Sequence, residues 1–179
     1  MKIIASSDEV GRGAFAGPLV AASVILNNQN KQIFQDSKKL SSKQRQSLAL
    51  QIMQEHQYAI GIVSAEEIDF LGITLANLLA VIRSCENLKV KTDIVLVDGN
   101  LKFPDPKYFS IIKGDRIVNA ISAASIVAKV YRDNLMDELN KEFPAYNWQQ
   151  NKGYGTLEHR KQITTHGLSP YHRKSFTYS

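Results

Sequence analysis

The sequence predicts a mixed α/β protein folded as one domain of 179 residues. Two observations carry that prediction. Short runs rich in β-branched residues alternate with longer segments whose apolar residues recur at three- and four-residue steps. Hydrophobic residues make up 44% of the chain, enough for a sizeable core, and no stretch has the composition of a disordered tract, a repeat or a linker. The predicted order is strands, helix, strand, helix, strand, strand, long helix, then a last helix and an irregular tail.

Lys2 to Ser7 reads as a short strand that runs into Asp8-Glu9. Leu19 to Leu26 reads as a second strand, closed by the Asn27-Asn28 turn signal and able to pair with the first as a hairpin. Ser41-Ser42 offers an N-cap, and Leu48, Ala49, Ile52 and Met53 share the face of the helix that follows. Tyr58 to Val63 is a strand. Ser64 with Glu67 is a capping-box pattern for a short helix that Gly72 breaks. Ile73 to Leu88 is helical, with Leu75, Leu78, Leu79, Ile82 and Cys85 in its apolar pattern. Ile94-Val95-Leu96-Val97 is a continuous apolar run, as expected of a strand buried on both faces. Tyr108 to Ile112 is another strand. Lys113-Gly114-Asp115 opens a long helix that continues through Ile117, Ile121, Ala124, Ala128, Tyr131, Leu135 and Leu139 and stops before Pro144. Trp148 to Gly155 reads as a loop, and Thr156 caps a last helix that ends at His166-Gly167.

Composition narrows the function classes. The one cysteine, Cys85, rules out an intrachain disulfide and reads as a buried free thiol. No secretory hydrophobic region precedes the acids at residue 8, and the apolar run from Ala14 to Leu26 is interrupted by Gly17 and Pro18. The expectation is a cytoplasmic protein without a membrane partner. The net charge of +5 permits nucleic-acid binding. Much of the excess lies in the C-terminal segment, where Lys152, Arg160, Lys161, Arg173 and Lys174 face only Glu158.

The densest chemistry is Asp8-Glu9-Val10-Gly11-Arg12-Gly13. Adjacent acids where a core strand runs out are costly to bury unless a positive charge meets them. Glycines bare the backbone to a ligand, and an arginine presents a fork of donors suited to phosphate. Asp98 also ends a buried strand, and Asp115 begins a helix. Taken singly, Asp98-Gly99 is also a turn signal and Asp115 also a plain N-cap. If the first and fourth strands are neighbours, Asp8, Glu9 and Asp98 converge at their carboxyl ends, and Asp115 can join them. Four carboxylates without a His or Cys cluster suit Mg²⁺ or Mn²⁺ and not Zn²⁺, and two such ions could hydrolyse a phosphodiester.

The set Asp8-Glu9-Val10-Gly11-Arg12-Gly13, Ala16-Gly17-Pro18, Asp36-Ser37-Lys38-Lys39-Leu40, Val97-Asp98-Gly99, Lys113-Gly114-Asp115, Ala123 through Asp133, Gly153-Tyr154-Gly155-Thr156 and His172 through Phe176 resembles, in order, the ribonuclease HII family. The resemblance runs from residue 3 to 176. It implies a ribonuclease H-like mixed sheet flanked by helices, with a small C-terminal helical segment (about 145–179) that grips substrate. It implies hydrolysis of RNA in RNA–DNA hybrids and incision 5′ to ribonucleotides in duplex DNA, leaving 3′-hydroxyl and 5′-phosphate ends. Asp8, Glu9, Asp98 and Asp115 fall on the family's catalytic, metal-binding carboxylates, which hold two Mg²⁺ or Mn²⁺ ions in the active form. Gly11, Arg12 and Gly13 fall on the element that reads the ribose 2′-hydroxyl, and Tyr154 on the aromatic that senses the RNA–DNA junction. Lys38 or Lys39 holds a phosphate. The partners expected are an RNA–DNA hybrid and ribonucleotide-containing duplex DNA, met by a monomer. Type HIII enzymes resemble the chain less, because they carry lysine where Arg12 stands.

The chain departs from the family at Ser6-Ser7, where glycine and an apolar residue are usual, and two hydroxyls there could loosen the strand end. Rival readings are another ribonuclease H-like nuclease, of the resolvase or transposase kind, and a non-catalytic nucleic-acid-binding module. A resolvase or transposase has no reason to carry both Gly-Arg-Gly and Gly-Tyr-Gly-Thr. A binding module gains nothing from four carboxylates that repel phosphate.

Overall fold

A computed structural model describes residues 2–27, 33–34 and 40–178. Among them five strands form one mixed sheet: β1 (Ile4–Val10), β2 (Leu19–Ile25), β3 (Gln57–Val63), β4 (Ile94–Asp98) and β5 (Tyr108–Ile111). Their order is β3-β2-β1-β4-β5. β1 and β2 form the expected antiparallel hairpin, with Ser7 opposite Ser23 and Asp8 opposite Ala22. β1 also pairs in parallel with β4, from Ile4 opposite Ile94 to Ser7 opposite Val97. The first and fourth strands are therefore neighbours, and their carboxyl ends finish side by side.

The helices α1 (Ser42–Glu55), α2 (Ala65–Leu71), α3 (Ile73–Glu86), α4 (Gly114–Ile117), α5 (Asn119–Glu142), α6 (Trp148–Asn151) and α7 (Leu157–His166) cover the sheet and its far end. The expected capping box at Ser64 forms, and the Ser41 cap is a second one: Gln44 N–H donates to Ser41 Oγ and Glu67 N–H to Ser64 Oγ, and each partner side chain accepts from the cap amide in return. Thr156 Oγ1 likewise accepts from His159 N–H, and Gly167 ends α7 at φ 77°. α5 lies on one face of β1 and β2, packing Ala124, Ile126 and Val127 in one cluster with Ala22 and Val24. α3 lies on the other face, packing Ala80 and Val81 in one cluster with Leu19, Ala21, Val95 and Val97.

Several elements differ from expectation. β1 runs on to Val10, so Asp8 and Glu9 sit inside the strand, because β2 continues to pair opposite them. α3 buries Ala76, Asn77, Ala80, Val81, Ser84 and Cys85, while Leu75 is 54% exposed. Its small-residue face wins because the helix comes close to β3: a Cβ on Gly61 would stand 2.0 Å from Ala80 O and 2.4 Å from Ser84 N. β4 is not buried on both faces; Val95 and Val97 are buried and alternate with half-buried Ile94 and Leu96. The helix expected from Lys113 is broken at Val118, with Lys113 left-handed at φ 57°. The loop expected from Trp148 contains the single turn α6. No helix of the described residues is long and apolar enough to cross a membrane.

Candidate active site

The period of two in β1 divides the acid pair. Asp8 and Val10 face α5, where Ser125 is a hydrogen-bond partner of the Asp8 carboxyl. Glu9 faces α3, beside Asn77. Asp98 ends the neighbouring parallel strand and acts electrostatically on both acids. The parallel register leads to this directly: Ser7 stands opposite Val97, and the next residues on each strand are Asp8 and Asp98. One cleft is lined by Asp8, Glu9, Val10, Asp98, Ser125, Arg45, Lys129 and Tyr154, with a volume of about 290 Å³.

Asp115 is 5% exposed at the start of α4. Its backbone N–H donates to Asp98 Oδ1 at 3.3 Å, and its carbonyl accepts from Ser122 Oγ at 2.7 Å. It stands next to Asp98 and steadies that carboxylate, but its own side chain is not among those lining the cleft. No three of the described His, Cys, Asp and Glu side chains already surround a single ion position.

The electrostatics favour a cation. Burial is the main cause that pushes Asp8 up to about 8; Glu9 and Asp98 add to it, while Ser125 and the Glu9 amide, 2.8 Å from Asp8 Oδ1, pull the other way. Burial raises Glu9 too, as does Asp98; Asn77 and Arg12 oppose the rise. The buried carboxamide of Asn77 stands beside Glu9 on the α3 side of the strand. Desolvated oxygen donors short of positive charge fit a hard divalent cation.

The Gly-Arg-Gly element follows at once. Gly11 is buried at φ 94°, and a Cβ there would stand 2.2 Å from Arg132 Nε. Arg12 and Gly13 are exposed, and nothing approaches within 4 Å of where a Gly13 Cβ would be. Tyr154 is half-buried, forms a β-bridge with Ala14, and lies against the Arg132 guanidinium, 5.4 Å from the ring centre. It is a wall of the cleft and not a core tyrosine. Lys38 and Lys39 lie outside the described residues.

Sequence reasoning missed several residues. Arg45 on α1 and Lys129 on α5 line the cleft, the latter paired with Asp133 at 2.8 Å. The i,i+4 spacing of Lys129 and Asp133 was visible; their place at the cleft was not. Arg132 is fully buried and donates to Pro18 O at 2.9 Å, Lys152 O at 2.8 Å and Ala16 O at 3.1 Å. Arg173, also fully buried, donates to Arg12 O at 3.0 Å and through two nitrogens to Gly17 O. Burial chiefly, with Arg132 nearby, lowers Arg173 to about 9. Of the basic C-terminal residues, then, Arg173 holds the fold from within, whereas Lys161 and Lys174 are exposed.

A mixed sheet with acids at the carboxyl ends of adjacent parallel strands, one desolvated cleft and basic side chains on its wall defines a nuclease of the ribonuclease H-like class. Solved structures agree on the fold. The ribonuclease H2 of Pyrococcus horikoshii OT3 superposes with a TM-score of 0.79 at 23% identity, covering 98% of this chain and 94% of that one. Bst-RNase HIII in complex with Mn²⁺ gives 0.76 at 17% identity, covering 99% and 68%. The chain belongs to the ribonuclease HII family, whose model matches residues 5–179. A ribonuclease HII of Rickettsia canadensis is 51% identical over 178 residues, 99% of this chain and 91% of the relative. The chain is thus a ribonuclease H, an endonuclease of the family that acts on RNA in RNA–DNA hybrids.

Proposed function

We propose that this chain incises duplex DNA on the 5′ side of an embedded ribonucleotide, as well as cutting RNA in hybrids, by hydrolysis that leaves 3′-hydroxyl and 5′-phosphate ends. The observation that carries the reading is the cleft in which Asp8, Glu9 and Asp98 face Tyr154 and Lys129. Asp8, Glu9, Asp98 and Asp115 would hold two Mg²⁺ or Mn²⁺ ions, with Asp115 drawn in from beside Asp98. When bound, such a pair supplies an activated water and stabilises the leaving 3′ oxygen. The chain's own residues do the rest. Ser125 and the Glu9 amide keep Asp8 oriented. The exposed backbone of Arg12-Gly13 can approach a ribose closely enough to distinguish its 2′-hydroxyl, with Gly11 anchoring the turn. Tyr154 offers its ring to the sugar at the junction. Arg45, Lys129 and one of Lys38 and Lys39 face the phosphates, and Lys161 and Lys174 hold the backbone without reading sequence.

A DNA duplex carrying one ribonucleotide tests the proposal. The expected product is a single metal-dependent nick on its 5′ side, absent with Asp8→Asn. Uncut substrate in both Mg²⁺ and Mn²⁺ overturns it. Tyr154→Ala should lower cleavage at a single ribonucleotide more than at a long hybrid.

A further inference from the structure

Behind Tyr154 lies a chain of buried ring nitrogens. His159 is fully buried and His172 is 1% exposed, and both touch the fully buried Trp148. Trp148 Nε1 approaches His159 Nε2 at 3.0 Å. An indole nitrogen can only donate, so His159 Nε2 is the acceptor and carries no proton. In the neutral ring the proton is then on Nδ1, which stands 2.9 Å from the Tyr154 carbonyl. His172 is set by the same logic from its other side. Its Nδ1 receives the Ser169 backbone N–H at 2.9 Å, so its proton lies on Nε2, which points at His159 Nε2 at 3.2 Å. The Trp148 N–H and the more distant His172 N–H therefore share the single lone pair of His159 Nε2, and His159 turns its own Nδ1 proton to the Tyr154 carbonyl. Burial lowers both histidines, His172 to about 4, so both rings are neutral at physiological pH.

Tyr154 is held from three sides. Its carbonyl accepts from Thr156 N–H at 2.8 Å as well as from His159. Its ring rests on Arg132, and its backbone bridges Ala14 next to the Gly11-Arg12-Gly13 element. Among these interactions only the one from His159 depends on a tautomer, and that tautomer is dictated by Trp148 and His172.

We infer that His159, with its proton fixed on Nδ1 by Trp148 and His172, is a positioning residue that orients Tyr154 for discrimination between a single ribonucleotide and a continuous hybrid. The inference rests on the proposed role of Tyr154. It assigns a task to two of the three histidines of the C-terminal segment that direct binding of substrate would not explain, since neither is accessible.

Two substitutions separate positioning from mere packing. Asparagine carries its amide where imidazole has Nδ1, and glutamine where it has Nε2. His159→Asn therefore keeps a donor for the Tyr154 carbonyl, whereas His159→Gln keeps only the group facing Trp148 and His172. The readout is the ratio of cleavage at one embedded ribonucleotide to cleavage of a long hybrid, with Tyr154→Ala alongside. The expected result is a ratio near wild type for His159→Asn and one about fivefold lower for His159→Gln, the weight of one neutral hydrogen bond. Equal ratios for the two variants, with Tyr154→Ala lowered, overturn the inference alone. An unchanged ratio for Tyr154→Ala overturns the role of Tyr154 and this inference with it. The wild-type protein provides a second measurement should either variant fail to fold. Nitrogen-15 NMR should find His159 protonated at Nδ1 and His172 at Nε2 at neutral pH. A proton on His159 Nε2 overturns the inference.

Discussion

Replacing Asp8 with asparagine should make the metal-free protein more stable, by an amount that grows with pH. Asp8 stands at about 8 in the folded chain against an ordinary value of 3.8, chiefly because burial disfavours its charge. The folded state therefore keeps a proton that the unfolded chain releases, and the associated stability is fully present below 3.8 and lost as pH rises through about 8. Each pH unit in that window is worth about 1.4 kcal/mol, so the loss reaches about 4 kcal/mol by pH 7. Asparagine has the same shape and no charge to bury. In urea titrations with a chelator, the advantage of Asp8→Asn over wild type should rise from near zero at pH 4 to about 4 kcal/mol at pH 7. Mg²⁺ at about a hundred times its dissociation constant should return about 3 kcal/mol to the wild type and little to the variant. A wild-type stability that is flat between pH 4 and 8 in chelator, or a variant no more stable than wild type at pH 7, refutes the reasoning.

Gly61→Ala should lower stability by about 3 kcal/mol, since its Cβ would meet the α3 backbone and not a movable side chain; a melting temperature reduced by roughly 10 °C is the expected reading. Arg132→Met should cost about 4 kcal/mol in urea titration, because the carbonyls of Ala16, Pro18 and Lys152 lose a charged donor together. Ser23→Ala should cost about 1–2 kcal/mol in the same assay, because Ser23 Oγ lies within hydrogen-bonding distance of Ser84 Oγ, Ser7 Oγ and Cys85 Sγ. Lys161→Ala with Lys174→Ala should leave stability unchanged and flatten the salt dependence of substrate binding by about one unit of slope for each phosphate the protein no longer neutralises. Arg173→Met should instead lower stability by several kcal/mol, which a thermal melt would detect.

What could be read from the sequence was whatever has a local cause. Caps at Ser41, Ser64 and Thr156, and breaks at Gly72 and Gly167, depend on a few neighbouring residues, and the structure places them as expected. The convergence of Asp8, Glu9 and Asp98 was legible because a strand that ends in an acid is a local pattern, and only one assumption about strand order was needed. Side-chain partners across the sheet were not legible. Of the apolar set read in α3, Cys85 is buried and Leu79 packs against the core, but Leu75 is exposed, because the close approach at Gly61 gives much of the buried face to alanine and serine. The cleft positions of Arg45 and Lys129 depend on how α1 and α5 dock, which no spacing along the chain reveals. Ser6-Ser7 looked like a weakness for the same reason. Both are buried, and Ser7 Oγ donates to Ala22 O at 2.9 Å, a tie between β1 and β2 whose acceptor lies on the other strand.

Two buried arginines, Arg132 on α5 and Arg173 in the tail, serve the fold and not the substrate. A guanidinium without access to water is costly, and the cost is offset only where its donors find acceptors. Arg132 and Arg173 find theirs on the carbonyls of Arg12, Ala16, Gly17 and Pro18, all in the turn that joins β1 to β2 and carries Gly11-Arg12-Gly13. That turn has few side chains of its own with which to hold a shape, and its glycines make it flexible in isolation. The backbone of Gly153 accepts from the amides of Phe15 and Ala16, and the Arg173 amide donates to Phe15 O. Residues some 140 to 160 positions away in sequence thus set the geometry of the turn beside the acids. The turn at residues 11–18 is therefore shaped by α5, by Gly153 and by the tail, and Tyr154 enters the cleft on the same framework that shapes the turn it faces.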